Sequence, residues 1–128
     1  MNQKSKLVIT LTAGIAIGAA ASAANMLPQA PKKAGYVIAD VEVTDLAAFQ
    51  AYLAKEPETL KPFNARTIVR GKPVAKEGDT PKGSIVIIAF DSLGDPEKWY
   101  SCPEYSTSIP ERQMASKSQV YLVEGVPQ

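Results

Sequence analysis

The chain has 128 residues, with 14 basic and 13 acidic side chains, no histidine and one cysteine. This near balance of charge argues against the basic surface that nucleic-acid-binding proteins need. One cysteine excludes a cysteine-rich zinc site and an intrachain disulfide, and the lack of histidine removes the commonest acid–base side chain. We therefore predict no metal, no resident cofactor and no nucleic-acid partner.

The N-terminal segment has the features of a secretory signal peptide. Two lysines precede an apolar stretch from residue 7 to about residue 18, and Ala21 and Ala23 provide the small residues that a signal peptidase accepts. We predict that residues 1–23 are removed and that the mature protein is periplasmic or secreted. The alternative is an uncleaved membrane anchor, because the apolar run approaches the minimum length of a bilayer span. Residues 24–34, with two prolines, form a predicted linker.

The predicted domain covers residues 35–128 and begins with a strand and a helix. The segment GYVIADVEV alternates, so that Val37 and its alternate neighbours share one face, which is typical of a strand. The segment DLAAFQAYLAKE predicts a helix that is capped by Thr44 or Asp45. Its buried stripe is predicted to be Leu46, Phe49 and Leu53.

The rest of the domain is predicted to contain two strands, a broken helical region and a last strand. ARTIVRG predicts a strand with a bulge at Gly71, and SIVIIAF predicts a central strand because both of its faces are apolar. Asp95 is predicted to cap a helix whose first residue is Pro96. Pro103 and Pro110 divide the next segment into short helical pieces, and QVYLVEG is the last strand.

This order of elements predicts an α+β, ferredoxin-like βαββαβ fold with a four-stranded antiparallel sheet and helices on one face. The other face of the sheet would then be exposed. Because the central strand is apolar on both faces, leaving the second face in water is unfavourable. We therefore predict a homodimer in which two sheets meet face to face.

Several segments between Gly35 and Val126 resemble a known family. GYVIADVEVTDLAAFQAY, IVRGK, IVIIAFDS, WYSCPEY and PERQMASKSQVYLVEGV are similar to the domain of unknown function 1330 family, in the dimeric α+β barrel superfamily. The resemblance implies a ferredoxin-like protomer and a dimer whose sheets enclose a barrel. It implies no particular reaction, because the superfamily includes cofactor-free oxygenases and isomerases. The chain departs from the family at Lys72, where a second glycine is usual, and at Cys102, where a serine or another small residue is common.

Two groups of residues are candidates for ligand binding. Strict alternation places Arg70 on the sheet face that carries Asp40, away from the helices, where the two would form a clamp for an anion or a carbonyl group. A structural ion pair or a solvated strand is the alternative. Trp99 lies at the end of a short helix, and Tyr105 and Arg112 lie on the proline-broken segment after it. All three positions recur in the family motif, and they are predicted to line a ligand pocket. The alternative here is aromatic packing with Arg112 paired to Glu104, Glu111 or Glu124.

Cys102 is predicted to be a small, partly buried residue and not a nucleophile, because no histidine is present to generate its thiolate. An interchain disulfide is the alternative.

Three functions remain open for the chain. The first is cofactor-free binding of a small organic molecule between sheet and helices, with Asp40, Arg70, Tyr105 and Arg112 as polar anchors. The second is a cofactor-free enzyme of oxygenase or isomerase type, with Asp40 or a tyrosine as its acid–base group. The third is a purely structural or dimerisation role.

Overall fold

The computed structural model describes residues 33–128, so the predicted signal peptide and nearly all of the predicted linker lie outside the described residues. The helices and strands occur in the predicted order. They are β1 (Gly35–Val43), α1 (Leu46–Leu60), a 3-10 helix (Lys61–Phe63), β2 (Arg66–Gly71), β3 (Ser84–Phe90), α2 (Asp95–Ser101), α3 (Pro103–Ser106), α4 (Ile109–Ala115) and β4 (Ser116–Glu124). Within residues 33–128, no helix is long and apolar enough to cross a membrane.

The four strands form one antiparallel sheet in the order β2-β3-β1-β4. The two central strands are β1 and β3, as predicted. On β1, Val37 lies opposite Ile88 of β3 and Leu122 of β4, so the central strand is paired along both edges. The chain therefore has the predicted α+β, ferredoxin-like fold.

The core lies between the sheet and the helices. Alternate residues of β1 are buried because successive side chains of a strand point to opposite faces. Their neighbours on β3, Val86 and Ile88, are buried on the same face. Large aromatic side chains from the helices complete the core: Phe49, Tyr52, Trp99 and Tyr105.

Helix α1 begins as predicted, because the Asp45 carboxylate accepts a hydrogen bond from the backbone N–H of Ala48 at 3.1 Å. Its predicted buried stripe is wrong at Leu46, which is 65% exposed. The buried stripe consists instead of Phe49, Tyr52, Glu56 and Leu60. The observed and predicted series have the same helical spacing of three and four residues, so the period alone does not distinguish them, and the observed series carries a carboxylate into the core.

The second helical region is divided into three short helices, as the prolines predicted. Pro103 opens α3, and Pro110 lies in the first turn of α4. Asp95 is the first residue of α2 and not its cap, which is Gly94. Each short helix places one large side chain in the interior: Trp99, Tyr105 and Arg112.

Strand β2 is an exposed edge strand with a β-bulge between Thr67 and Val69. The predicted bulge at Gly71 is wrong, because that residue is paired in regular register. One extra residue reverses the alternation of side chains along the rest of the strand. Arg70 therefore faces the same side as its partner Val86, toward the helices.

The sheet face away from the helices is open and largely apolar. We call this surface the open face, and its apolar side chains include Ile38, Val69, Ile85, Ile87, Tyr121 and Val123. Each of these residues is next in sequence to a residue whose side chain faces the helices. Because successive side chains of a strand point to opposite faces, these residues face away from the helices.

Candidate functional site

A cavity of about 30 Å³ lies between the sheet and the helices. Its walls are mainly apolar side chains of β1, β3 and β4, and Trp99 contributes an aromatic wall. Five polar side chains complete the lining, and we call them the polar cluster: Tyr52, Glu56, Arg70, Tyr105 and Arg112. A space of this size holds about two water molecules.

A chain of hydrogen bonds crosses the polar cluster from α3 to α1. The Tyr52 hydroxyl donates to Glu56 Oε2 at 2.8 Å and lies 2.8 Å from the Tyr105 hydroxyl. Because the single hydrogen of Tyr52 is directed at the carboxylate, Tyr105 is the donor in the second bond. Protons are therefore donated from Tyr105 to Tyr52 and from Tyr52 to Glu56, which is the final acceptor.

Local structure explains why these three side chains meet. Tyr52 and Glu56 lie four residues apart on α1, which places them on the same side of the helix. Tyr105 belongs to α3, and the Ser108 hydroxyl donates to its backbone oxygen at 2.6 Å, closing the turn after this helix. The short helix therefore holds Tyr105 against the middle of α1.

Arg70 links the edge strand to the same carboxylate. Its Nη2 donates to Glu56 Oε1 at 3.2 Å. The Arg70 side chain is 37% exposed, whereas that of Glu56 is 7% exposed. The bulge in β2 is what permits this contact, because without it Arg70 would point away from the helices.

Arg112 is buried and lacks an ionic partner. It is 5% exposed, its Nη2 donates to the Tyr100 hydroxyl at 3.3 Å, and its Nε is buried without a hydrogen-bond partner. No carboxylate within residues 33–128 forms an ion pair with it. The nearest glutamate in sequence, Glu111, is paired instead with Lys55 at 2.8 Å. Buried charges are normally paired, so Arg112 is the exceptional group of this site.

Tyr52 and Tyr105 stay neutral near neutral pH. Burial raises the pKa of Tyr52, and the charge of Glu56 raises it further. Burial also raises the pKa of Tyr105, although its hydrogen bond with Tyr52 and the charge of Arg112 act in the opposite direction. Burial lowers the pKa of Arg112, but the three neighbouring tyrosines, with Tyr105 the largest contributor, outweigh this effect and the net shift is upward. Arg112 therefore keeps its positive charge, and neither Tyr52 nor Tyr105 neutralises it near neutral pH.

Trp99 holds the Tyr105 ring in place. The two rings are stacked with their centroids 3.8 Å apart and their planes at 29°. The indole N–H of Trp99 donates to Thr59 Oγ1 at 2.9 Å, which satisfies the polar atom of a side chain that is only 1% exposed. The orientation of Tyr105 in the cavity therefore depends on the contact between Trp99 and α1.

Of the residues predicted for the site, the structure gathers Arg70, Trp99, Tyr105 and Arg112 around the cavity. Asp40 lies on the open face, so the predicted clamp between Asp40 and Arg70 is not formed. The physical reason is the bulge in β2, which turns Arg70 to the helix side.

Asp40 has a structural contact instead. Its Oδ1 accepts a hydrogen bond from the backbone N–H of Gly83 at 2.9 Å. A Cβ at Gly83 would lie only 2.2 Å from the carbonyl carbon of Val41, so only glycine fits this close approach. Asp40 thus fixes the start of β3 against β1.

Two members of the polar cluster, Tyr52 and Glu56, were missed by sequence reasoning. A signal for them does exist in the spacing of Phe49, Tyr52, Glu56 and Leu60. This spacing marks one helix face, and a glutamate on the apolar face of a helix is a candidate for a buried functional group.

Cys102 lies outside the cavity. It is a free, partly buried residue between α2 and α3, and it lines a separate surface pocket of about 300 Å³ together with Pro62 and Phe63. Within the part of the chain that the structure describes, no group of three or more possible ligands could hold a metal ion.

Comparison with solved structures shows what the fold is similar to. A protein of unknown function from Rhodopseudomonas palustris matches with a TM-score of 0.60 and 12% identity, over 78% of this chain and 88% of that chain. A DABB family protein with a ferredoxin-like fold from Mesorhizobium loti matches with a TM-score of 0.52 and 8% identity, over 76% and 99% of the two chains. SnoaB, a cofactor-independent oxygenase from Streptomyces nogalater, matches with a TM-score of 0.50 and 15% identity, over 76% and 95%.

Comparison by sequence identifies the family. A search of curated protein sequences found no match. The profile of the family described as "Domain of unknown function (DUF1330)" matches residues 34–126, which span all four strands and the helices between them. The chain therefore belongs to the DUF1330 family.

Proposed function

We propose that the protein binds a small organic molecule, without a resident cofactor, in the cavity between sheet and helices. The observation that carries this proposal is the polar cluster around an internal space. A core that serves stability alone is better filled by apolar side chains, because buried charged groups lose their hydration. Two arginines, a glutamate and two tyrosines around a cavity are instead typical of a binding site.

The ligand must widen the cavity as it enters. Its present volume of about 30 Å³ is below the roughly 300–1,000 Å³ of pockets that enclose whole ligands. Arg70 is the half-exposed member of the lining, and it is attached to Glu56 by one contact. Displacing this side chain opens the site toward solvent at the sheet edge without moving the buried helices.

Mass spectrometry under non-denaturing conditions tests the binding role. The protein is purified from its producing cells without unfolding, and we expect a bound small molecule whose mass is released when the protein is denatured. Arg112→Gln is expected to lose that mass, and Arg66→Gln, which changes an exposed arginine of β2, is the matched control. An empty wild-type protein that also fails to bind any compound in a thermal-shift screen would favour a purely structural role.

A second candidate function, a cofactor-free enzyme, is favoured by the hydrogen-bonded chain that ends at Glu56. A carboxylate reached through two phenols can accept a proton from a bound substrate, as oxygenase or isomerase chemistry without a cofactor requires. The fold likeness to SnoaB is compatible with this candidate but does not carry it. Glu56→Gln distinguishes the two functions: an enzyme loses turnover of the co-purified compound while binding persists, whereas a binding protein shows no turnover in either form.

We also propose that the protein is a homodimer that pairs through the open face, and that residues 1–23 direct its export to the periplasm or beyond. The apolar character of the open face supports the dimer, because a monomer would leave this surface in water. The intact mass of the protein recovered from the producing cells tests the export. We expect the mature chain to begin at residue 24, and retention of the full N-terminal segment would indicate an anchored form.

A further inference from the structure

The polar cluster has an imbalance of charge. It contains two guanidinium groups, Arg70 and Arg112, and one carboxylate, Glu56. The carboxylate is engaged by Arg70 on one oxygen and by Tyr52 on the other. The two phenols are neutral, so one positive charge, on Arg112, is left without compensation inside the protein.

The buried Nε of Arg112 has no hydrogen-bond partner, and it marks the side of the guanidinium group that lacks a negative charge. A guanidinium presents its donors in a plane, and a carboxylate pairs with two of them side by side. In Arg112 the described residues use Nη2 for Tyr100, while Nε is buried and has no partner. Arg112 lines the cavity, and its Nε–H is therefore a free hydrogen-bond donor on a cavity-lining side chain.

We propose that the ligand is an organic monoanion whose carboxylate occupies the cavity and pairs with the Nε edge of Arg112. This inference rests on the proposed binding function and names the chemical class of its ligand. The apolar part of the ligand lies along the walls formed by Val37, Val86 and Val120, and its far end leaves the cavity past Arg70.

Three features select this class. The excess charge is a single one, which matches a monoanion and not a phosphate dianion. The cavity of about 30 Å³ has room for a carboxylate head group but not for a whole ligand. Apart from the polar cluster, its walls are apolar, so an inorganic anion would gain nothing from them, whereas an organic acid buries its hydrocarbon part there.

Pairs of acids and amides of the same shape test the inference. Thermal unfolding of the full chain is measured with acetate, propionate and benzoate, and then with acetamide, propionamide and benzamide, at constant ionic strength set with chloride. We expect at least one acid to raise the unfolding midpoint by about 4–8 °C at saturation, because a ligand that binds only the folded state stabilises it. The matching amide is expected to shift it by less than a quarter of that amount.

Two variants connect the effect to Arg112. Arg112→Met keeps the length of the side chain and removes its charge, and we expect it to abolish the stabilisation by acids. Its own unfolding midpoint is expected to equal or exceed that of the wild type, because an uncompensated buried charge is removed. Arg66→Met, on the edge strand, is expected to keep the full response to acids.

The outcomes separate this inference from the proposed function. Equal stabilisation by amides and acids overturns the anionic class while binding of organic molecules stands. If acids still raise the unfolding midpoint of Arg112→Met, the anion binds away from Arg112, and this outcome also overturns the inference. Stabilisation by no compound, together with an empty protein in the mass-spectrometry experiment, removes the proposed function as well.

Discussion

Arg70 and Glu56 are joined by a hydrogen bond of 3.2 Å that connects the edge strand β2 to helix α1 and closes one side of the cavity. The two partners differ in their surroundings, because the carboxylate is buried while the guanidinium is half-exposed. Water screens the outer partner, so the pair can separate at the surface without disrupting the core. On the proposed route of ligand entry, Arg70 is therefore the side chain that is displaced.

The first prediction concerns Arg70→Ala. We expect it to lower the free energy of unfolding by about 1–2 kcal/mol, because Glu56 is left buried without a cation. Removal of the Arg70 side chain is also expected to increase the association rate of any ligand that enters from the sheet edge. Urea unfolding and stopped-flow fluorescence measure the two effects.

The control for this prediction is Arg66→Ala, which removes an exposed arginine from the same strand. Its effect on unfolding is expected to stay within about 0.5 kcal/mol, as for most surface substitutions. If the two alanine variants are equally stable, Arg70 does not compensate the charge of Glu56 in solution.

The second prediction is a loss of stability at high pH caused by Tyr52 and Tyr105. Burial raises the pKa of both phenols above their usual value of 10.0. Below pH 10 the folded and unfolded forms are both protonated and no stability is lost. Above pH 10 the unfolded chain releases these protons first, so stability falls by about 1.4 kcal/mol per pH unit for each tyrosine that stays protonated in the fold.

Urea unfolding between pH 8 and 11.5 measures this slope, and Tyr52→Phe is expected to reduce it by about half. Tyr121→Phe is the matched control, because Tyr121 is an exposed residue of β4 and is expected to leave the slope unchanged. Ionisation of all five tyrosines near pH 10 without unfolding, seen by ultraviolet absorbance, would contradict the burial of these two hydroxyls.

The sequence allowed the order of elements and the fold to be predicted because hydrophobic periodicity is a local signal. The alternation of β1 and the prolines at the starts of α3 and α4 act within a few residues. The family resemblance added the aromatic motif with Trp99, Tyr105 and Arg112. These signals were enough to name Trp99, Tyr105 and Arg112 as side chains of the cavity.

The predicted face was correct for Asp40 and wrong for Arg70, because the face of Arg70 depends on the register of β2. A single extra residue between Thr67 and Val69 reverses the faces of the strand, and nothing in the composition of β2 marks the bulge. Glu56 was missed for a different reason. Its burial results from the rotation of α1 about its axis, which is set by packing against the sheet and not by the helix alone.

The third prediction concerns Trp99, the single tryptophan of the chain. Trp99→Phe is expected to lower the free energy of unfolding by about 2–3 kcal/mol, because it loses buried aromatic area, part of the stacking on Tyr105 and the hydrogen bond to Thr59. Thr59→Val removes only the hydrogen-bond acceptor and is expected to cost about 1 kcal/mol. Equal losses in the two variants would mean that the stacking contributes little.

The fourth prediction is that Cys102 has no chemical role. Cys102→Ser is expected to change the free energy of unfolding by less than about 1 kcal/mol and to leave ligand binding unchanged, because the residue is partly buried and lies outside the cavity. Non-reducing electrophoresis of the wild-type protein checks the alternative of an interchain bridge. A covalent dimer that disappears in Cys102→Ser would show that the thiol links two chains.

The fifth prediction concerns the open face and the proposed dimer. Ile87 lies on the central strand β3, opposite Ile38 of β1 and Val69 of β2, so it occupies the middle of the apolar surface. Ile87→Glu is expected to convert the dimer into a monomer, because burying an unpaired carboxylate at the centre of an apolar interface costs several kcal/mol. Sedimentation velocity measures the mass in solution.

Met114→Glu is the control for the open face, because Met114 is 84% exposed on helix α4 and is expected to leave the mass of the dimer unchanged. The two variants also separate the dimer from the ligand site. Ile87 points away from the helices while the cavity lies beneath them, so a folded Ile87→Glu monomer should retain the acid response that depends on Arg112. A monomer that is folded but has lost this response would show that the partner protomer helps to form the site, and a wild-type protein that sediments as a monomer would show that the open face is not a dimer interface.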